Sequence, residues 1–332
     1  MDNLTHTAIG LFLSRAGLGR WSPLATPIVI LAANAPDIDV LSAAGGGLNY
    51  LHYHRHLTHS LVGMPIMALT VVLVVKLIGR KPVHWLGAFC AALIAVASHL
   101  ALDWTNVYGI RLLLPFSSQW QRLDVTGVVD LWIWGVLLLG VLGPFLARLV
   151  GSEISSGSVK PAHHGRGFAW FALLFVLLYD CGRGVLHARA FTALSSRLYQ
   201  DSPPLRIAAL PDAANPWRWY GLVETSGAYT TETIDLIGTA LPGRNLVFQK
   251  PEASPALDAA ARTTAFSEFL RFSQFPLWRV SPVPSPENGR LVEVFDMRFG
   301  TPIAPGFMVS AVVDSGLHVV QTGFQLGRFR PR

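Results

Sequence analysis

The chain has 332 residues, enough for two domains, and only 14% of them are charged, against about 25% in an ordinary soluble protein. Its mean hydropathy of +0.41 points away from a soluble enzyme and toward membrane spans. The net charge is +6 and the pI about 9.6. The basic residues lie scattered at the ends of apolar runs, with no basic block interleaved with aromatics, which excludes nucleic acid as a partner.

The opening, MDNLTHTAIG, has no basic n-region and no small-residue cleavage pattern, so it reads as a retained segment. Two apolar runs follow at 4–14 and 23–33, both short for a full span. Longer runs at 61–78, 83–103, 128–147 and 167–187 each approach the roughly 20 residues that cross a bilayer. Cys90 and Cys181 lie within two of them and, without metal-type spacing, read as small buried hydrophobes. Residues 151–166 read as a polar, Gly/Ser-rich loop. Together 1–190 form the expected helical membrane domain.

Beyond residue 188 the composition changes. WRWYGLVET, LVEVFDMRF, FMVSAVVD and LHVVQTGFQ read as strands, and 255–272 has helical apolar spacing. Residues 188–202 are a linker or lead-in helix, and 203–332 a small α+β domain outside the bilayer. No internal repeat is present. The fold class is mainly α: a polytopic helical membrane domain with a small extracytoplasmic α+β C-terminal domain.

Orientation follows from lysine and arginine. With all six runs taken as crossings or half-crossings, one face receives Arg15, Arg20, Lys76, Arg80, Lys81, Arg148, Lys160 and Arg166. The short loops of the other receive Arg55, Arg111 and Arg122. The first face is expected to be cytoplasmic. His6, NAPDID (34–39), HYHRHLTHS (52–60) and SHLALD (98–103) then converge on the extracytoplasmic face.

These four segments carry the chemistry. Asp37 and Asp39, two apart after Pro36, point to one side if the turn is extended. His99 and Asp103, four apart, share a helix face. Ionisable residues in or at the end of a span are costly and usually have a function. Imidazole and carboxylate together are the usual set for Zn²⁺ or a similar divalent ion, and a multi-metal centre suits phosphoester hydrolysis. Each group also has a plain reading. His6 is then a capping or solvent-facing residue, Asp37 and Asp39 a turn and cap, His52 and His56 interfacial polar residues, and His99 with Asp103 an intrahelical hydrogen bond. Asp130 is a ligand, a partner orienting a histidine, or a first-turn carboxylate; Asp124 is weaker.

His6, PDID (36–39), HRHLTHS (54–60), SHLALD (98–103) and LLPFS (113–117) together resemble the bacterial inner-membrane family called YdjM-like, or membrane-bound metal-dependent hydrolases. That family is thought to be distantly similar to zinc-dependent phospholipase C and P1 nuclease. The resemblance covers about residues 1–150. It implies His6, Asp37, Asp39, His54, His59, His99 and Asp103 as the metal set, with Zn²⁺ the expected ion. It implies that Arg55, Thr58 and Ser60 bind phosphate or orient ligands. His56 stands where the family usually has Gly, which leaves its own role open, and His52 falls outside the set. The implied function is a membrane-bound divalent-metal-dependent hydrolase of phosphoesters, lipid-derived ones included, at the extracytoplasmic face of the bacterial inner membrane. Asp37 or Asp39 would act as general base or bridging ligand, and Arg55 would pair with a phosphate oxygen. Membrane lipid is the expected partner. The alternative is a non-catalytic, metal-stabilised membrane scaffold or partner-binding protein. A transporter fits less well, because 61–78 and 128–147 are nearly bare of polar residues.

Overall fold

The structure, a computed structural model, describes residues 1–154, 164–238 and 245–327. Two compact units are present. The first comprises 1–39, 55–188 and 211–217, and the second 40–54, 189–210 and 218–332.

The first unit is helical. α1 (Asn3–Ala16) begins at Asp2, whose side chain accepts from the backbone N–H of Leu4 and Thr5. α2 (Ala25–Ala32) packs on α1, with Gly10 so close that a Cβ there would lie 2.9 Å from Ala33 Cβ. α4 (Gly63–Gly79) and α5 (Trp85–Thr105) join α2 around a core of Ile28, Val72, Ala88, Ala92, Ala95 and Val96. The small residues let the backbones approach closely, as helices in lipid require. A second cluster joins Phe12 of α1 to Ile133 of α6 (Leu131–Ile154) and Ala172 of α7 (His164–Ser195). Outward faces are apolar, with Leu138, Phe145, Leu174 and Leu178 all exposed, the pattern of helices solvated by hydrocarbon.

Among the described residues, three stretches are long and apolar enough to cross a bilayer: Trp85–Thr105, Leu131–Leu149 and Gly165–Ser195. Two bent pairs, Ala25–Ala32 with Ala35–Gly45 and Gly47–His59 with Gly63–Gly79, bring the number to five if each is one broken span. The run at 61–78 does not qualify alone. Its helix has 17 residues, because the chain turns at Ser60–Gly63 before it starts. Cys90 is half-buried and Cys181 exposed, so the reading of both as buried is corrected. Of the polar stretch 151–166, residues 151–154 end α6 and 164–166 begin α7; the rest lies outside the described residues.

The second unit holds α3 (Gly47–Tyr53) and two four-stranded antiparallel sheets. One runs in order β1 (Arg206–Pro211), β2 (Arg218–Glu224), β3 (Ala228–Asp235) and β4 (Leu246–Gln249). The other runs β5 (Pro276–Pro282), β6 (Arg290–Asp296), β7 (Met308–Val313) and β8 (Val319–Gln325). The single helix expected at 255–272 is two, α8 (Pro255–Ala261) and α9 (Thr264–Phe272), parted where Thr263 turns extended and caps Phe266 N. Phe266, Phe269 and Phe272 on one face of α9 are buried. With eight strands in this unit, "mainly α" holds only roughly.

Candidate metal centre

The segment after α2 is not the extended turn the sequence suggested. Residues Ala35–Gly45 wind as a 3-10 helix, whose three-residue turn sends positions 37 and 39 to different sides. That separation serves one ring. Asp37 Oδ1 lies 3.4 Å from His59 Nε2, and Asp39 Oδ2 lies 3.1 Å from His59 Nδ1. His59 sits in a short 3-10 turn, Leu57–His59, and is fully buried. The turn is fixed from below: Ser60 Oγ donates to Leu57 O at 2.8 Å and accepts from Gly63 N at 3.0 Å. A Cβ at Gly63 would lie 1.9 Å from Leu57 O, so only glycine fits there.

α5 contributes His99 and Asp103, one turn apart and facing the same way. His99 Nε2 is 3.4 Å from Asp103 Oδ2, 3.6 Å from Asp37 Oδ1 and 3.2 Å from His59 Nε2. His59 Nε2 is 3.4 Å from Asp103 Oδ2. Asp37, His59, His99 and Asp103 therefore bring one donor atom each within 4.8 Å of one another, a group able to hold a metal ion. His59, His99 and Asp103 are fully buried.

Proton positions follow from the partners on the far side of each ring. His99 Nδ1 is 2.8 Å from Ala33 O, which can only accept. Nδ1 therefore carries the proton, and in the neutral ring Nε2 presents a lone pair. His59 Nδ1 likewise faces the Asp39 carboxylate, which also accepts from Thr58 Oγ1 at 3.0 Å and from Arg55 N at 2.8 Å. Two lone pairs then meet at 3.2 Å beside two carboxylates. Such convergence is unfavourable until a cation or a proton sits between, and carboxylate- or carbonyl-backed imidazoles are the usual orientation device at metal sites.

Asp103 is divided by function. Its Oδ1 accepts from Arg55 Nη2 at 2.9 Å and Asn106 Nδ2 at 3.2 Å, and lies against the Met1 amino group. Its Oδ2, the oxygen facing the two histidines, has no hydrogen-bond partner among the described residues. Arg55 is buried at a left-handed φ of 54°, an unusual place for a bulky residue. Its Nη1 donates to Gly109 O at 2.9 Å and to Asn106 Oδ1 at 3.3 Å, and the guanidinium lies over Tyr108, 4.6 Å from the ring centre. The guanidinium expected to meet a phosphate thus holds Asp103 in place.

His6 stacks on His99 with ring centres 3.8 Å apart. Its Nε2 is 3.5 Å from Asp103 Oδ1, and neither ring nitrogen has a hydrogen-bond partner among the described residues. His54 belongs to the second unit, with its ring stacked on Tyr50 at 4.5 Å, and is not one of the four donors. His52 Nδ1 is 2.7 Å from Glu268 Oε2 in that unit. Asp130 is not in the first turn of α6 but stands just before it, as its cap. It accepts from Trp132 N and Ile133 N at the start of α6 and from Tyr179 Oη, and burial pushes its pKa up. Asp124 pairs with Arg122.

Asn106, Tyr108 and the Ala33 carbonyl were missed in the sequence. A backbone acceptor leaves no sequence signal, and Asn106 shows only as a polar residue three positions after Asp103.

The profile of the YdjM inner membrane protein family matches residues 1–190, which contain every residue of this centre. The chain belongs to that family. It is also 22% identical over 310 residues to "Uncharacterized protein YfhP" of Bacillus subtilis (strain 168), a match covering 89% of this chain and 86% of that protein. No solved structure matches the chain.

Proposed function

We propose that the chain is a membrane-bound, divalent-metal-dependent hydrolase of phosphoesters, with one ion held by Asp37 Oδ1, His59 Nε2, His99 Nε2 and Asp103 Oδ2. The observation that carries the reading is the spacing of these atoms. Five donor–donor distances run from 3.2 to 3.6 Å. Four ligands about 2.0–2.1 Å from a tetrahedral Zn²⁺ stand about 3.3–3.4 Å apart, whereas an octahedral ion with similar bonds needs about 3.0 Å. Zinc is the ion this spacing favours. Two carboxylates also balance its charge.

The donor chemistry supports turnover. Structural zinc sites are usually rich in cysteine, whereas imidazole–carboxylate sets are the catalytic kind. When bound, the ion would supply Lewis acidity to a phosphoryl oxygen and acidify a water. Asp37 has a second oxygen, Oδ2, that is buried without a hydrogen-bond partner among the described residues, so its carboxylate can shift to admit water without breaking a hydrogen bond there. His6, whose ring nitrogens make no hydrogen bond among the described residues, is the nearby base, able to take a proton from water or return one to a leaving oxygen. Arg55, Asn106, Asp39 and Thr58 position the donors. Membrane phosphodiesters are the substrates within reach of a centre at the end of a span, with the extracytoplasmic face as its location.

A second reading rests on the same geometry. Four protein donors close a tetrahedron, and closed sites are structural; the protein would then be a metal-stabilised membrane scaffold. Metal analysis of detergent-purified protein, paired with hydrolysis of phospholipid and p-nitrophenyl phosphoester panels, separates the two. Metal lost in His59→Ala and Asp103→Ala together with metal-dependent cleavage by wild type supports the hydrolase. Metal bound with no cleavage of any ester leaves the scaffold.

A further inference from the structure

The turns of α5 that carry His99 and Asp103 present Ser98, Leu102 and Thr105 to an adjoining side, where they wall a cavity of about 470 Å³. The facing wall is α7, with Leu173, Leu177 and Asp180. The size falls within the roughly 300–1,000 Å³ of small-ligand pockets, which are mostly apolar with a few polar groups. Its lining is of that kind, and Asp180 is the one charged residue among the described residues that line it.

Asp180 has no role in the centre described above. Its Oδ1 is buried and has no hydrogen-bond partner among the described residues. Electrostatically it feels Asp130 and Arg183. Arg183 is engaged elsewhere, donating to Val125 O at 2.9 Å and to Pro216 O. Asp130 accepts from Tyr179 and from the start of α6. Arg183 also feels Asp212, so the carboxylates around it outnumber the guanidinium and leave negative charge uncompensated when all are ionised. An ionisable residue placed so within a span is expensive and marks a ligand or ion site.

We propose that this cavity binds a single-chain cationic amphiphile, with the chain against Leu102, Leu173 and Leu177 and the ammonium on the Asp180 carboxylate. Both walls are candidate spans, so the ligand arrives through the bilayer, and the uncompensated charge selects a cation over a neutral or anionic chain.

Cys181 lines the same cavity and is exposed, which makes it a built-in reporter. In full-length Cys90→Ala protein in lipid nanodiscs, the rate of Cys181 alkylation by N-ethylmaleimide is measured with dodecylammonium, dodecanol or dodecyl sulfate. Dodecylammonium at ten times its dissociation constant leaves about a tenth of the cavities open, so alkylation is expected to slow about tenfold. Dodecanol and dodecyl sulfate are expected to protect much less. Asp180→Asn should lose the advantage of the ammonium, and Asp180→Glu should keep it. Both variants are compared only as monodisperse protein with unchanged basal Cys181 reactivity. Equal protection by all three amphiphiles, no protection, or full protection in Asp180→Asn overturns the proposal. None of these readouts depends on metal or hydrolysis, so it stands or falls apart from the proposed activity.

Discussion

His59 and His99 turn their Nε2 atoms toward each other across 3.2 Å, while a carboxylate and a backbone carbonyl hold the far nitrogen of each ring. The rings are thus aimed before any ion arrives, which lowers the ordering cost of binding one. Single alanine substitutions of Asp37, His59, His99 or Asp103 are expected to abolish stoichiometric metal. Asp39→Ala removes only the orienting partner and should leave metal bound at saturation, with affinity about 10–100-fold weaker. Competition with a chelator distinguishes the two patterns.

Arg55 is expected to matter for stability more than for substrate. Removing it leaves Asp103 Oδ1 short of its 2.9 Å guanidinium contact in a fully buried setting. Breaking one side of a buried pair costs about 3–5 kcal/mol. Arg55→Ala should lower the thermal midpoint of metal-free protein in detergent, and added zinc should restore part of it by neutralising Asp103. An unchanged midpoint argues against this positioning role.

Gly63→Ala tests the turn that delivers His59. Its Cβ would lie 1.9 Å from Leu57 O, a backbone atom that cannot rotate aside. Overpacking of this kind costs about 1–3 kcal/mol or more, and the shift at Leu57–His59 should also weaken metal binding. Gly165→Ala, with open space around it apart from one distant Arg15 atom, is the control expected to change neither quantity.

The second unit has an acid-sensitive pair. Burial raises the Glu224 pKa, but hydrogen bonds from Arg206 Nε and from Lys250 Nζ outweigh it, so the net pKa is lowered. A depressed carboxylate stabilises the fold above its unfolded pKa, and that contribution is lost as pH falls through the folded value. Thermal melts of wild type should therefore lose more than those of Glu224→Gln between pH 7 and about pH 3, where carboxylates protonate. Parallel pH profiles of the two proteins would contradict the assignment.

Orientation rests on the asymmetry of basic residues, since three to five candidate spans replace the six alternating runs. A reporter active only outside the cytoplasm, fused after Arg332, is expected to be active. Activity confined to a cytoplasmic reporter would put the C-terminal part on the other side.

Much of the helical part was legible because apolar runs and paired polar motifs are local signals. The i, i+4 spacing of His99 and Asp103 placed both on one face of α5. The opposed placement of Asp37 and Asp39 was not legible, since it depends on a 3-10 winding that the short PDID segment does not announce. His54 and His59 look equivalent in HYHRHLTHS, yet a left-handed Arg55 stands between them, and only His59 joins the four donors. Strands with dense β-branched or aromatic residues, such as β6 and β7, were visible. Ala-rich β1, β3 with its interleaved Thr and acidic residues, four-residue β4 and proline-bounded β5 were not, because register with their neighbours defines them more than composition does.

The most direct test is elemental analysis of the full-length protein purified without added metal, alongside His99→Ala. One zinc per chain in wild type, and none in a His99→Ala protein that remains monodisperse, is the expected result. Equal metal content in the two proteins, or a metal-free wild type that takes up none on titration, would contradict the centre built from Asp37, His59, His99 and Asp103.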